Sequence, residues 1–540
     1  MDTDHVFGRR AKLELFKKRV ADLKEGYRQN MAFLGSRYIG KSTLLQKFIA
    51  DTDDNDIIPI YLELENKDFS HFYLKYISSI LRTISKIKNL PVHEDLSLLI
   101  ETTQPHLPIT IKLIKKIQSL MAQNKINEAY RETIALAELF TNETNKYCVL
   151  VLDEFQHLED WGIPEVFKEL GKRIMTQKRC LYLLASSNQV TAKKILSEKL
   201  SLLFGNFEVI QVDAFDLKTS HGFIGFNLGD LVIGEPLRNF LIDFTGGHPL
   251  YLHLICKELV ALSAIHKQTE IFVPLLTQAL ENILLNPWGV LSRHFELILN
   301  RISIGKNNQM IPATFIVLSQ GKQKLKDLAQ AVGSKQSVLN QKISSLMEED
   351  IIAKNGNFYY LKDKLFRYWI KYVFQKRLKV VELSLEQQKQ EFHTELNRSM
   401  EDFNKNSRFD FSSRIVDLLN CFDNEALNIN GRRYKLPAFD KITPAKICSL
   451  TGESFDVIKA SSPEGSWFIA FKNEGISETD VHAILNESKK LKAKPQRCVL
   501  ISMGDLDENT RVRALQEKMW IWNEGEINTL LNIYDKSYIL

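Results

Sequence analysis

Between Gly35 and Ser42 the chain reads GSRYIGKS, two glycines five positions apart followed by a lysine and a hydroxyl. These residue types at this spacing suit the holding of a polyanion. Glycines let the backbone turn so that successive N–H groups face inward on phosphate oxygens. Lys41 adds an ammonium to the terminal phosphates, and Ser42 offers a hydroxyl to Mg²⁺. The following run, STLLQKFIA, reads as a helix whose positive end points at the same place. The expected contact set for a bound nucleotide is therefore Gly35, Ser36, Arg37, Tyr38, Ile39, Gly40, Lys41, Ser42 and Thr43. The bland alternative is a glycine-rich turn with a solvated lysine.

A phosphate site of this kind needs a carboxylate for its metal. YCVLVLDEFQHL supplies two acids behind an apolar run. The run places Asp153 at the carboxyl end of a buried strand, where open α/β sheets bind ligands. Asp153 is expected to hold Mg²⁺ through water, and Glu154 to orient or activate a water against the terminal phosphate. CLYLLASSN ends another strand in Ser186 and Ser187. Either serine is placed to sense that phosphate or the water, or to serve as an ordinary strand-to-loop hydrogen bonder.

Short apolar runs that read as strands must position these groups: residues 30–35, 57–64, 147–154, 180–187 and 207–212. They alternate with helical stretches, the pattern of a buried, mostly parallel sheet. Residues 1–215 read as this α/β core. A helical insert at about 68–142 is broken by Asn89, Pro91, Pro105 and Pro108. Residues 216–300 read as helical, interrupted by TGGHP at 245–249. Residues 301–380 read as helix, turn at Gly333-Ser334, helix and a hairpin around Asn355-Gly356, a winged helix-turn-helix. Residues 381–408 form a polar helical linker or bridging helix. Residues 409–540 return to α/β, with strands in SFDVIKA, SWFIAFK, CVLISM and MWIWN and a last helix in GEINTLLNIYDK.

The 540 residues exceed one ordinary core, and 44% hydrophobic with 25% charged residues is the composition of a soluble globular chain. A net charge of +5 excludes a globally basic nucleic-acid binder. Any such surface must be local, and residues 321–375 hold ten Lys and Arg against five Asp and Glu. Six cysteines show neither zinc-knuckle nor C-x-x-C spacing. The start lacks a signal-peptide core and no run is long enough to span a bilayer, so a cytoplasmic protein with no membrane partner is expected.

Taken in order, FGRRAKLELF (7–16), GSRYIGKS, VLVLDEFQ, LLASSNQ, DFTGGHPLYL (243–252) and YYLKDKLFRYWIKYVF (359–374) resemble the archaeal-type ATPases of the STAND branch of P-loop NTPases. These are AAA+-like switch ATPases, and the resemblance covers about residues 1–380. It implies ATP and Mg²⁺ as cofactors, with a P-loop core, a helical lid and a winged helix under nucleotide control. It also implies that Gly8 and Arg9 lie near the base and ribose, and that the turn at Gly247-His248-Pro249 closes over the adenine. TGGHP equally spells a helix C-cap. Two departures stand out. Arg10 replaces an acid common in the family, and Asn206 stands where an arginine finger is usual, so hydrolysis is expected to be slow.

Lys335, Gln336, Ser337, Asn340 and Gln341 open the second helix of the winged helix, with Lys354 in the wing. They suit double-stranded DNA contact; an intramolecular latch is the alternative. Residues 433–475 resemble a PD-(D/E)xK restriction-endonuclease-like domain, in which Asp456 and Lys472 would take the first and last places. Ala470 stands where the second carboxylate belongs, so the resemblance is to a degenerate member, with Glu474 as a migrated substitute. The expectation is an ATP-binding, slowly hydrolysing switch that couples nucleotide state to DNA, partner proteins or self-association. The alternatives are a DNA-binding regulator or loader without significant turnover, and an ATP-gated nuclease.

Overall fold

A computed structural model describes residues 7–52, 54–64, 68–200, 207–302, 310–378, 384–429, 432–448, 454–472, 476–490, 494–503 and 506–538. The chain forms two compact units. The first comprises Met1–Phe223 with His248–Leu250 and Glu348–Asp350; the second comprises Ile224–Gly247, Tyr251–Met347 and Ile351–Leu540.

In the first unit, α1 (Arg10–Lys24) precedes β1 (Asn30–Leu34), α2 (Lys41–Ala50) and β2 (Ile57–Glu63). The insert is four helices: α3 (Phe69–Ile87), α4 (Leu96–Thr103), α5 (Pro108–Ala122) and α6 (Ile126–Thr144). Asp68 and Asp95 cap α3 and α4 by accepting backbone N–H bonds, and Pro108 opens α5 at its first turn. Then follow β3 (Tyr147–Asp153), α7 (Val166–Thr176), β4 (Cys180–Ser186), α8 (Gln189–Lys194) and β5 (Phe207–Gln211). The strands form one sheet in the order β2-β3-β4-β1-β5, every pair parallel.

Both faces of this sheet are covered, which explains the unbroken apolar runs. Ile58, Ile60, Leu62, Leu150, Leu152 and Leu184 share a core with the insert helices. The alternate residues Met31, Phe33, Val149, Val151, Leu181 and Leu183 pack with Phe16 of α1 and with Leu44 and Phe48 of α2. All strands being parallel, their carboxyl ends lie along one edge, and the loops after β1 and β3 open there.

The second unit begins within α9 (Leu217–Leu228) and continues through β6 (Val232–Ile233), α10 (Glu235–Thr245), α11 (Pro249–His266), β7 (Glu270–Ile271), α12 (Val273–Leu280), α13 (Val290–Ile302) and α14 (Met310–Ser319). Next come β8 (Gln323–Lys324), α15 (Leu325–Val332), α16 (Gln336–Glu348), β9 (Ile352–Asn355), β10 (Phe358–Leu361), α17 (Lys364–Trp369), α18 (Gln375–Arg377) and α19 (Leu385–Ser407). Gly333, at φ +68°, ends α15, and Leu339, Ile343 and Leu346 are the buried face of α16. β8, β10 and β9 make a small antiparallel sheet. The polar helix α19 buries Phe392, Leu396, Met400 and Phe403 along one side, and Phe403 meets Phe240 of α10 edge-on at 5.8 Å. It is thus packed along its length and does not act as a loose linker.

The last part holds α20 (Phe411–Leu419), β11 (Glu425–Ile429), β12 (Arg432–Leu436), β13 (Lys441–Cys448), β14 (Ser454–Ser462), β15 (Gly465–Lys472), α21 (Glu478–Lys489), β16 (Arg497–Ser502), α22 (Glu508–Gln516), β17 (Trp520–Trp522) and α23 (Glu524–Ile533). The sheet order is β13-β14-β15-β16-β17, antiparallel for the first two pairs and parallel for the last two. Sequence patterning alone misses β11, β12 and β13.

The tip of the β9–β10 hairpin is committed inside the molecule. Asn355 donates to the Asn428 carbonyl at 2.7 Å and accepts from the Asn428 N–H at 2.5 Å, so its amide imitates one rung of a sheet against β11. Gly356 sits at φ +57°, and a Cβ there would overlap the Ala426 carbonyl oxygen. Phe358 belongs to the core of the C-terminal sheet. Gly356→Ala is therefore expected to lower stability by about 2 kcal/mol, from left-handed strain plus lost approach. A shifted denaturant midpoint with an unchanged slope would register it.

Candidate active site

The loop after β1 is built by two glycines for different reasons. Gly35 carries no Cβ because one would overlap the Val212 carbonyl oxygen beyond β5. Gly40 has φ +95° and caps α2, a conformation that an L side chain rarely adopts. Between them Ile39 anchors the loop in the core, while Arg37 and Tyr38 are exposed. Ser42 and Thr43, half-buried, lie in the first turn of α2.

Lys41 is 4% exposed, and its Nζ donates to the carbonyls of Gly35 at 3.0 Å and Ser36 at 2.9 Å. The ammonium thus folds back inside the loop's own ring of backbone. Burial holds its pKa below the usual lysine range, against the opposing pull of Glu154, Asp153 and Asp350.

Asp153, fully buried, ends β3. Its Oδ1 accepts the Glu154 N–H at 3.0 Å, and its Oδ2 accepts the phenol of Tyr61 at 2.6 Å. Glu154 takes φ +56°, so the chain leaves the strand in a left-handed turn that swings this side chain toward the next strand. Its Oε2 accepts the Ser187 N–H at 2.9 Å, the Ser187 hydroxyl at 2.8 Å and the Gln156 amide at 2.7 Å. Burial pushes the Glu154 carboxyl up. Lys41 and the bonds from Gln156 and Ser187 outweigh that, and its pKa lies below the ordinary value.

Ser186 does something else. Its hydroxyl closes a local turn, donating to the Asn188 carbonyl at 3.1 Å and accepting the Asn188 N–H at 3.0 Å. Of the two serines, Ser187 is the one that reaches the acidic pair.

The opening motif packs against the segment from Asp213 to Thr219. Gly8, at φ +61°, lies where a Cβ would overlap the Thr219 side chain. The Arg9 guanidinium donates to the Asp213 carbonyl and lies 5.2 Å over the Phe215 ring. Pro249 is buried at the first turn of α11, and His248 Nε2 beside it lies 3.2 Å from the Arg37 carbonyl oxygen. Tyr61 and Gln156, which bond to the acidic pair, are residues that motif reading missed. Asn206 and Glu474 lie outside the described residues.

The donor set fits a hard divalent cation. Ser42 and Asp153 present oxygen only, and no nitrogen or sulfur ligand accompanies them in the contacts described.

The second constellation is not assembled. Asp456 pairs with Phe471 across β14 and β15, so the two share a sheet face; Lys472, one residue on, faces the other side. Phe471 packs in the core on one side and Ala470 in the core on the opposite side. Lys472 lies 3.6 Å from Asp480, and Asp456 lies 3.7 Å from Lys446. The Asp456–Lys472 pairing implied by the resemblance is corrected by the register: the two groups lie on opposite sides of a β-sheet. Among the described residues, no group of three or more His, Cys, Asp or Glu is placed to hold a metal.

A parallel sheet of this order, with a lysine-bearing phosphate loop after β1 and an acidic pair after β3, has the arrangement of a P-loop ATPase domain. Residues 18–255 match the family model described as an ATPase domain predominantly from Archaea. Solved structures similar to this chain include the Walker-type ATPase of Pyrococcus abyssi, at 16% identity and TM-score 0.46 over 68% of this chain and 96% of that one. The ORC2 protein of Aeropyrum pernix, in ADPNP–ADP complexes, is similar at 11% identity and TM-score 0.43 over 70% and 98%. The ORC1 protein of Aeropyrum pernix, in complex with DNA, is similar at 12% identity and TM-score 0.39 over 71% and 95%. No curated protein sequence matches the chain. No described helix is long and apolar enough to cross a membrane.

Proposed function

We propose that this protein is a Mg²⁺-ATP-dependent switch that hydrolyses slowly. The carrying observation is the convergence of Lys41, Ser42, Asp153 and Glu154 at one sheet edge, with Glu154 already engaged by Ser187 and Gln156. Lys41 and the loop amides would grip the phosphates, and the metal would supply charge neutralisation between Ser42 and Asp153. Glu154 orients a water only when its carboxylate turns from Ser187. That competing hydrogen bond keeps turnover low and makes it responsive to movement of β4's end. Nucleotide turnover by the parent and by Glu154→Gln, with and without duplex DNA, tests this. Glu154→Gln is expected to lower turnover about a hundredfold while ATP affinity stays within a few fold. Equal turnover in both proteins would remove Glu154 from the mechanism.

The segment α15-turn-α16 is followed by an antiparallel hairpin, which supports the winged-helix reading, and one observation favours a DNA-facing role for it. Lys335, Gln336, Ser337, Asn340 and Gln341 are all exposed on the outer side of α16. The wing differs: its tip is occupied by β11, leaving Lys354 exposed and 5.2 Å over the Tyr359 ring. Contact with DNA would therefore be made by α16. The β9–β10 hairpin would serve instead as a seat for the C-terminal sheet, whose core includes Phe358.

A further inference from the structure

Tyr61 is a half-buried phenol in a strand that is otherwise apolar up to Glu63, and its neighbours explain why. β2 pairs with β3 so that Tyr61 lies beside Val151 and Glu63 beside Asp153. Tyr61, Val151 and Asp153 therefore share the sheet face that carries α2. On that face the Tyr61 phenol donates to Asp153 Oδ2 at 2.6 Å, and Ser42 is near enough to act electrostatically on the same phenol. Ser42 of α2, Tyr61 of β2 and Asp153 at the end of β3 are thus neighbours.

The geometry points to Tyr61 as a positioning residue for the divalent cation, holding the Asp153 carboxylate in register with the Ser42 hydroxyl. This rests on the reading of Ser42 and Asp153 as the metal-side groups. Ser42 belongs to the loop–helix element and Asp153 to a strand two places away in the sheet, with β4 between β3 and β1. Nothing in the backbone pairing fixes the rotation of a carboxylate at a strand end. The Glu154 N–H holds one oxygen of Asp153, and Tyr61 holds the other. With both oxygens oriented, a cation carried in with the nucleotide meets a carboxylate already aimed, and no rotamer freedom has to be frozen on binding. Outer-shell hydrogen bonds of this kind commonly change metal affinity 10- to 100-fold.

Tyr61→Phe removes only the hydroxyl. Equilibrium titration of the full chain with a fluorescent ATP analogue, in EDTA and in excess Mg²⁺, gives the factor by which metal tightens nucleotide binding. The expected result is metal-free affinity within about twofold of the parent and a metal enhancement reduced about tenfold. In an Asp153→Asn background, Tyr61→Phe is expected to change the enhancement no further, because the phenol acts through the carboxylate. Nucleotide-induced shifts in melting temperature provide a second readout in both backgrounds. An unchanged enhancement in Tyr61→Phe, a tighter one, or additive effects in the double variant would overturn the assignment. A parent protein with no metal enhancement at all would instead sink the reading of Ser42 and Asp153 on which it stands.

Discussion

A Lys41→Met protein is expected to lose nucleotide affinity on the order of a thousandfold and yet to melt above the parent in nucleotide-free buffer. Removing one partner of a buried, hydrogen-bonded charge interaction costs about 2–5 kcal/mol of binding, and the upper half of that range corresponds to the stated loss. The gain in stability has the opposite origin. Lys41 is buried with only two carbonyls to receive its three protons, and burial lowers its pKa from 10.5. The unfolded chain therefore holds the Lys41 proton more tightly than the folded chain does. From the lowered folded value up to 10.5, the unfolded state binds more protons, so the parent gains stability as pH rises through that window. Below the window the penalty is fully present. Methionine carries no proton, so the difference in melting temperature should be largest near neutral pH and shrink toward the ordinary lysine value. Two melting series and one nucleotide titration check all three statements. A site that binds a polyanion keeps a destabilising charge when empty, and the ligand relieves it.

The same physics decides what the sequence could reveal. Strands β1–β5 are legible because a sheet covered on both faces demands unbroken apolar runs, and the loop glycines are legible because Gly35 and Gly40 answer to a backbone oxygen and a positive φ. Edge strand β13 is not legible. KITPAKIC carries two lysines and a proline, which suit an exposed edge and read as loop. Tyr61 was within reach of reasoning, since an alternation count from Asp153 across a parallel pair puts it on the metal face. That count requires knowing that β2 lies next to β3, a fact of topology that no local pattern carries. Asp456 and Lys472 fail for a related reason. Their spacing is compatible with a shared site, but only the β14–β15 register tells which face each occupies. The seating of the wing tip on β11 is a tertiary contact, and the local signal Asn-Gly predicts the turn without its partner.

Asp243→Ala should be the most destabilising single change in the second unit, about 3–5 kcal/mol, because it takes a buried counter-charge from the partly buried Lys364 and Arg414. Asp243 lies near the end of α10 and is 6% exposed. Its Oδ1 accepts Lys364 Nζ at 2.6 Å and the Tyr538 N–H at 2.8 Å. Lys364 also lies 4.6 Å over the Tyr538 ring. Arg414, its pKa lowered by burial and raised back by Asp243, donates to the carbonyls of Ser537 at 2.6 Å and Tyr538. One carboxylate thus organises a lysine, an arginine and the backbone of the chain's last described turn. Arg367 adds a 2.6 Å bond to Asp535 nearby. Asp243→Asn keeps the shape and one acceptor, so it should cost less than alanine, although Lys364 still loses its charge partner and Arg414 keeps only Asp417. Chemical denaturation ranks the three proteins, and hydrogen exchange adds a local readout: the Tyr538 amide should lose protection in both variants and most in alanine. A cost below about 1 kcal/mol would show that Lys364 and Arg414 find other partners. The position gives the result its interest, because α10 ends at Gly246, where a Cβ would lie 3.6 Å from the Tyr538 hydroxyl.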